Sequence, residues 1–288
     1  MSKFEYFRPN TIEEAIILMR ENPSYCLLAG GTDVMVKIKE NIIHPSAILD
    51  LGALDSLKGI KVEGGKITIG ALTTHTRLFE SDTIRKYAPA LAKAAGLVGS
   101  PQIRNNGTVG GNMGNASPAA DTVPALMAYD ATITIASATG TREILLKDLF
   151  KGPGRTYLEP GELITEISFE AQGVNQSSSF EKLGKRKALA ISVVNAAVFI
   201  EADPKTKIVN KARFALGSVA ATPIRVPAGE ECLIGNVISE KLLSEVAGVV
   251  SNAVKPIDDV RSTAVYRQEI AGTLIKRALE NAWRTMSN

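Results

Sequence analysis

Two glycine pairs, Gly30-Gly31 and Gly110-Gly111, stand 80 positions apart, and small hydrogen-bonding residues follow each. The first lies in Leu28-Ala29-Gly30-Gly31-Thr32-Asp33-Val34, the second in Thr108-Val109-Gly110-Gly111-Asn112. Glycine reaches positive φ without a Cβ penalty and lets other groups approach the bare backbone. Successive N–H groups in such a turn can form a concave nest for anionic oxygens. A single pair reads equally well as a strand-to-helix turn. Two pairs with matched chemistry ask for a fold that sets them as two walls around a phosphate-bearing ligand.

The common phosphate loops do not occur. Neither stretch is a G-x-G-x-x-G followed by an acidic strand end about 20 residues on. No G-x-x-x-x-G-K-[ST] run is present. The remaining reading is a diphosphate held by two backbone turns, with Thr32 and Asn112 adding side-chain donors.

Composition narrows the ligand chemistry. Only two cysteines, Cys26 and Cys232, and two histidines, His44 and His75, occur in 288 residues. A cysteine-ligated iron–sulfur cluster needs about four thiolates, and neither histidine has a partner at metal-ligand spacing, so no metal site is expected. Redox chemistry would come from an organic cofactor or from another subunit. A net charge of +3 gives no argument for nucleic acid, and no apolar run is long enough for a membrane span. Met1-Ser2-Lys3-Phe4-Glu5 lacks the apolar region of a signal peptide, which makes the cytoplasm the expected location.

The length fits two or three domains, and the patterning reads as α+β. A helix is expected over 11–22, with Thr11 and Glu14 as a capping box and Pro23 closing it. Tyr25 to Ala29 reads as a buried strand, and Thr32 or Asp33 would cap a helix to about Lys39. A second buried strand is expected over 47–51 and a hairpin over 60–69 with its turn at Gly64-Gly65. Helix follows over 76–97, broken near Pro89. Residues 99–124, rich in Gly, Asn, Ser and Pro, read as one long functional loop. Strands are expected near 131–136, 141–145 and 162–169. The polar stretch 171–179 is the linker candidate. Strands over 190–201 and 207–219, turning at Asp203-Pro204-Lys205, and helices near 239–253 and 264–285 complete the chain.

Several side chains have two readings. Asp121 could accept bonds from ribose hydroxyls or cap a helix near 122–128. Lys182 alternates with apolar residues and reads first as a solvent-facing strand lysine. Lys185, Arg186 and Lys187 read as a solvated face, His75 as a general base with no partner placed beside it or, more simply, as a cap or surface residue, and Trp283 as core or interface. No Ser-His-Asp arrangement, carboxylate pair or activated cysteine stands out, so no catalytic residue is assigned.

In combination the motifs resemble a known family. Ala29-Gly30-Gly31-Thr32-Asp33, Ile69-Gly70-Ala71-Leu72-Thr73, and Pro101 to Asn105 leading to Thr108-Val109-Gly110-Gly111-Asn112 are similar to the FAD-binding medium subunit of the molybdenum hydroxylases. Ser117 to Asp121, Pro160 to Ile164 and Tyr266-Arg267 extend the resemblance over nearly the whole chain. This family includes xanthine, carbon monoxide and nicotinate dehydrogenases.

The resemblance implies a two-subdomain FAD-binding domain of the vanillyl-alcohol-oxidase (PCMH) type over 1–175, with subdomains of about 1–56 and 57–175. A smaller C-terminal α/β domain over 176–288 would follow. It implies FAD as cofactor, with the loops Leu28 to Val34 and Thr108 to Asn112 on its diphosphate. Asp121 matches a cofactor-contacting carboxylate, Ile164 a position packing near the flavin, and Lys182 a lysine near the isoalloxazine. Molybdopterin would sit on a large partner subunit and two [2Fe-2S] clusters on a small one, with NAD a possible electron acceptor. The inserted four-cysteine loop of benzoyl-CoA-type members is missing. A self-contained flavin oxidoreductase of the same superfamily and a non-catalytic nucleotide-binding factor remain as alternatives.

Overall fold

The computed structural model describes residues 4–22, 24–186 and 189–287. The readings of Met1-Ser2-Lys3, of Pro23 and of Lys187 lie outside the described residues. Three larger sheets with their helices, and one two-stranded ribbon, build the described residues, and the mixture is the expected α+β.

The first sheet is parallel and three-stranded. Strand β1 (Glu5–Phe7), which sequence patterning missed, and β2 (Tyr25–Leu28) flank β3 (Ala47–Asp50). Helix α1 (Ile12–Glu21) starts at Thr11, whose hydroxyl accepts from Glu14 N at 3.1 Å. The Glu14 carboxylate reaches back to Asn10 N at 2.7 Å, one residue before the cap. This reciprocal capping contributes about 1 kcal/mol. Ala15, Ile16 and Met19 face inward at helical spacing. The central β3 is buried, but β2 is half-buried rather than buried because it is an edge strand. Helix α2 (Val34–Lys39) forms as expected, although neither Thr32 nor Asp33 makes a side-chain cap bond.

The second sheet is antiparallel. Its strands β4 (Ile60–Glu63), β5 (Lys66–Gly70), β6 (Thr132–Ser137), β7 (Gly140–Leu145) and β10 (Leu163–Glu170) are ordered β4-β5-β10-β6-β7. Gly64 and Gly65 take φ of +58° and +83°, the left-handed pair that a two-residue hairpin needs. A small ribbon, β8 (Phe150–Gly152) with β9 (Arg155–Thr156), lies between β7 and β10 in sequence.

The helical region from 75 to 128 is more divided than its pattern suggests. Besides the break at Pro89, Ser81 ends α3 (His75–Glu80) and caps α4 (Asp82–Tyr87), and α5 (Pro89–Gly96) follows. The expected loop over 99–124 holds two short helices, α6 (Pro101–Asn106) and α7 (Val109–Gly114), and the start of α8 (Thr122–Ala128). Ser100 and Thr108 cap α6 and α7, so capping overrides the weak periodicity.

The third sheet runs β11 (Gln176–Gly184), β12 (Ser192–Ala202), β13 (Val209–Gly217), β14 (Ile224–Arg225). The linker candidate is therefore partly strand: Ser177, Ser178 and Ser179 are buried in β11, and Ser178 bonds Tyr129 at 2.5 Å. Asp203 Oδ1 accepts from Lys205 N and Thr206 N at the β12–β13 turn. Helix α9 (Pro227–Leu233) is additional to the expected α10 (Glu240–Ala253) and α11 (Ala264–Ser287). Trp283 packs at the edge of this module's core.

Strand β12 is apolar on both faces because each face meets a different core. Ala197 and Phe199 join the core of the second sheet, while Val194, Val198 and Ile200 pack into a core shared with α10 and α11. Tyr129 stacks on Phe169 and meets Phe199 edge-on across the junction. The third sheet thus sits firmly against the second.

Candidate functional site

The first glycine stretch leaves β2 and turns into α2. Gly31 has φ +71°, where a Cβ is strained. Gly30 has ordinary φ, but a Cβ there would lie 1.9 Å from Asn106 O at the end of α6. Among the described residues, the N–H groups of Gly30, Gly31, Thr32 and Asp33 find no acceptor. Unbonded backbone donors are costly when buried and are normally met by water or ligand.

The second stretch is not a turn. Its glycines form the first turn of α7, where Gly111 N donates to the Thr108 cap at 3.1 Å. Val109 N donates to Thr73 O at 3.0 Å, Gly110 N to Ala71 O at 2.8 Å and Asn112 N to Thr108 O at 2.9 Å. The expected pair of matched nests is therefore one nest and one packing surface. A Cβ on Gly110 would lie 2.7 Å from both Ala71 Cβ and Ala71 O, and one on Gly111 3.6 Å from Ala29 Cβ. Gly110 thus lets α7 settle against Ala71, while Gly111 faces Ala29 of the first stretch.

Between the stretches lies a cleft of about 420 Å³, within the usual range for a cofactor site. It is lined by Ala29 to Val34, by Thr108, Gly110, Gly111 and Asn112, and by Ile164. Asn112 Oδ1 accepts from Thr122 Oγ1 at 2.9 Å, which fixes the amide. Leu28 and Val109 do not line this cleft; Leu28 Cδ1 would sit 3.0 Å from a Cβ on Gly31, and Val109 is core.

Asp121 and Lys182 also lie off this cleft, and they pair with each other. Lys182 Nζ lies 2.5 Å from Asp121 Oδ2 and 2.9 Å from Leu97 O, with both side chains less than a tenth exposed. Ser192 Oγ and Asn195 Nδ2 donate to Asp121 Oδ1 at 2.6 and 3.0 Å. Asp121 makes no capping bond to α8, and Lys182 is no solvent-facing strand lysine. Burial pushes the Asp121 carboxyl up, and the Lys182 ammonium and the two neutral donors oppose that rise. Lys182 lines a second cleft of about 800 Å³ with Leu97 and Arg104. The two clefts are neighbours along the chain, because Val98 and Ile103 line the first and Leu97 and Arg104 the second.

Sequence reasoning missed two side chains in the first cleft. His75 is 2% exposed, not a surface or capping residue; Thr74 caps α3. Its N–H donates to Gly107 O at 3.0 Å, while the buried Nδ1 has no partner. Burial, and then the Arg104 charge, lower its pKa from 6.5 to about 4, so the ring is neutral. Lys37, one turn beyond Asp33 on α2, donates to Asn115 Oδ1 at 2.7 Å across the cleft. The available signal for Lys37 was its place one helical turn beyond Asp33, the residue before α2.

Unbonded amides, glycines where a Cβ would collide, and a cleft of this volume fit a ligand carrying a diphosphate. Comparison with known proteins agrees. Residues 2–169 match the family described as FAD binding domain in molybdopterin dehydrogenase, and residues 179–282 match the CO dehydrogenase flavoprotein C-terminal domain. The chain belongs to the FAD-binding medium subunits of the molybdenum hydroxylases. It is 35% identical to the nicotinate dehydrogenase FAD-subunit of Eubacterium barkeri, over 96% of this chain and 95% of that one. The carbon monoxide dehydrogenase medium chain of Hydrogenophaga pseudoflava is 32% identical over 98% and 97%. The structure of carbon monoxide dehydrogenase from Hydrogenophaga pseudoflava lacking the Mo-pyranopterin moiety superposes with a TM-score of 0.94 at 31% identity, covering 98% of each chain. This medium subunit is thus a flavoprotein component of a multi-subunit oxidoreductase, with FAD as its cofactor. No helix among the described residues is long and apolar enough to cross a membrane.

Proposed function

We propose that this subunit relays electrons in the cytoplasm from the [2Fe-2S] clusters of a small partner, supplied by a large molybdopterin subunit, to NAD or another acceptor. Bound FAD supplies the redox chemistry, and the protein supplies binding, orientation and electrostatics. In this reading the chain divides into an FAD-binding domain over 1–175, with subdomains of about 1–56 and 57–175, and a C-terminal domain over 176–288. The diphosphate binds at Leu28 to Val34 and Thr108 to Asn112. The observation that carries this assignment is the run of unbonded N–H groups from Gly30 to Asp33, which form a donor set for anionic oxygens.

The remaining residues orient the cofactor. Ile164 offers an apolar wall, and the Lys182 ammonium, fixed by Asp121, holds a positive charge at the second cleft. Asp121 balances that charge within the protein, so Lys182 serves the bound cofactor as a hydrogen-bond donor with one proton left free of Asp121 and Leu97 O. The test is direct: the purified chain should be yellow and hold about one flavin per chain, and Gly111→Leu, which fills the space toward Ala29, should lose it. Colourless protein that ignores added FAD would sink the reading. Pull-down from its source should also bring molybdenum and iron–sulfur partners; sustained turnover by the isolated chain would instead favour a self-contained oxidoreductase.

A further inference from the structure

The first cleft is lined by three charged residues among those described: Asp33, Glu162 and Lys37. The Glu162 carboxylate is engaged by Arg142, whose guanidinium donates to both oxygens at 2.6 and 2.7 Å. Asp33 is exposed at the start of α2. Among the described residues Lys37 is therefore the one positively charged side chain on the cleft wall, which it shares with the unbonded amides of Gly30 to Asp33. Its Nζ is half-buried and bonded to a neutral acceptor, Asn115 Oδ1 at 2.7 Å, and an ammonium carries three donors. Its charge also reaches Cys26 on the same wall, where it opposes the rise that burial imposes on the thiol.

A diphosphate seated in this cleft brings anionic charge that the backbone donors solvate without neutralising. We propose that Lys37 is the counter-ion of the cofactor's diphosphate and, through Asn115, the latch that ties α2 to the α7–α8 connection across the seat. This rests on the proposed seating of FAD in the first cleft. The lysine serves phosphate as a point charge, and it adds the compensating positive charge that neutral amide donors lack. The bond to Asn115 fixes the ammonium within the cleft wall, so little of its rotamer freedom remains to be lost when the ligand enters.

The experiment is titration of the flavin-free 288-residue chain with FAD and with ADP, at about 0.05 M and about 0.5 M salt. Lys37→Met should weaken both ligands about tenfold or more at low salt, the loss expected for one charge-assisted contact. The gap between wild type and variant should shrink at high salt. Lys37→Arg should retain most of the affinity. Asn115→Ala removes the latch and keeps the charge, so its loss should be smaller than that of Lys37→Met; this pair keeps the test open should Lys37→Met fail to fold. Equal affinity and equal salt dependence in wild type and Lys37→Met overturns the inference alone, as does a loss for FAD without a loss for ADP. A wild-type chain that takes up neither ligand overturns the seating of FAD as well.

Discussion

The two glycine stretches look alike in sequence and do different work. At Gly30-Gly31 the backbone is left open: Gly31 needs positive φ, Gly30 admits Asn106 O, and among the described residues the four N–H groups from Gly30 to Asp33 have no protein acceptor. In Gly110-Gly111 the backbone is inside a helix, and every N–H from Val109 to Asn112 is bonded within the protein. There the missing side chains are what matters, because α7 lies on Ala71 and faces Ala29. The same residue pair supplies donors in one place and thinness in the other. The cleft between the two stretches has both: one wall with open donors, and one that comes close.

Substitutions can break this contrast. The largest effect is expected from Gly30→Ala, whose Cβ would meet a backbone carbonyl at 1.9 Å that no rotamer can relieve. Overpacking of this severity should cost about 3 kcal/mol or more, with loss of flavin. Urea unfolding and flavin content measure it; a stable yellow variant would mean that the first stretch and α6 are not in contact.

His75 lies between the stretches, bonded through its N–H to Gly107 O, and its effect is set by pH. Its pKa falls from 6.5 in the unfolded chain to about 4 here. Between those values the unfolded chain binds a proton that the folded chain refuses, so stability rises with pH and is lost as pH falls through this window. The loss should reach roughly 3 kcal/mol near the lower limit. His75→Phe should remove that part of the slope, as read from unfolding midpoints between pH 6.5 and 4. An unchanged slope would place the acid sensitivity elsewhere.

The sequence made the long-range plan legible wherever periodicity was strong: the hairpin at Gly64-Gly65, the helix from Thr11, and the strands turning at Asp203. Short elements were hidden because capping, and not periodicity, defines them; α6 and α7 follow from Ser100 and Thr108. The ends of β2 and β11 depended on tertiary placement, an edge position for one and a serine-rich buried face for the other. Within the cleft, glycines and amides advertised themselves by composition. Lys37 and His75 did not, since their roles come from elements that meet only in the fold. The Asp121–Lys182 pair was legible as two residues by resemblance, but its partners Ser192 and Asn195 were not.

Gly31→Ala tests the binding wall without a collision against backbone. Its Cβ would lie 3.0 Å from Leu28 Cδ1, which can shift, so the main cost is the left-handed conformation, about 1 to 2 kcal/mol. Because the same turn aims the unbonded amides, FAD affinity should fall along with the unfolding midpoint. Reduced stability with unaltered affinity would show that the turn's shape is not what binds.

Gly111→Ala should have the smallest effect of the series. Its Cβ would lie 2.9 Å from Thr108 Oγ1 and 3.6 Å from Ala29 Cβ, so the capping hydroxyl must give way while the contact with the first stretch stays ordinary. Against that cost, alanine inside a helix gains up to about 1 kcal/mol over glycine. The two nearly cancel, so stability should change by less than about 1 kcal/mol and flavin should be retained. The outcome separates thinness from donation, because alanine keeps the N–H at this position and adds only a methyl group. If Gly111→Ala were as damaging as Gly30→Ala, the second stretch would have a backbone role of its own, and the division of labour between the two glycine pairs would fail.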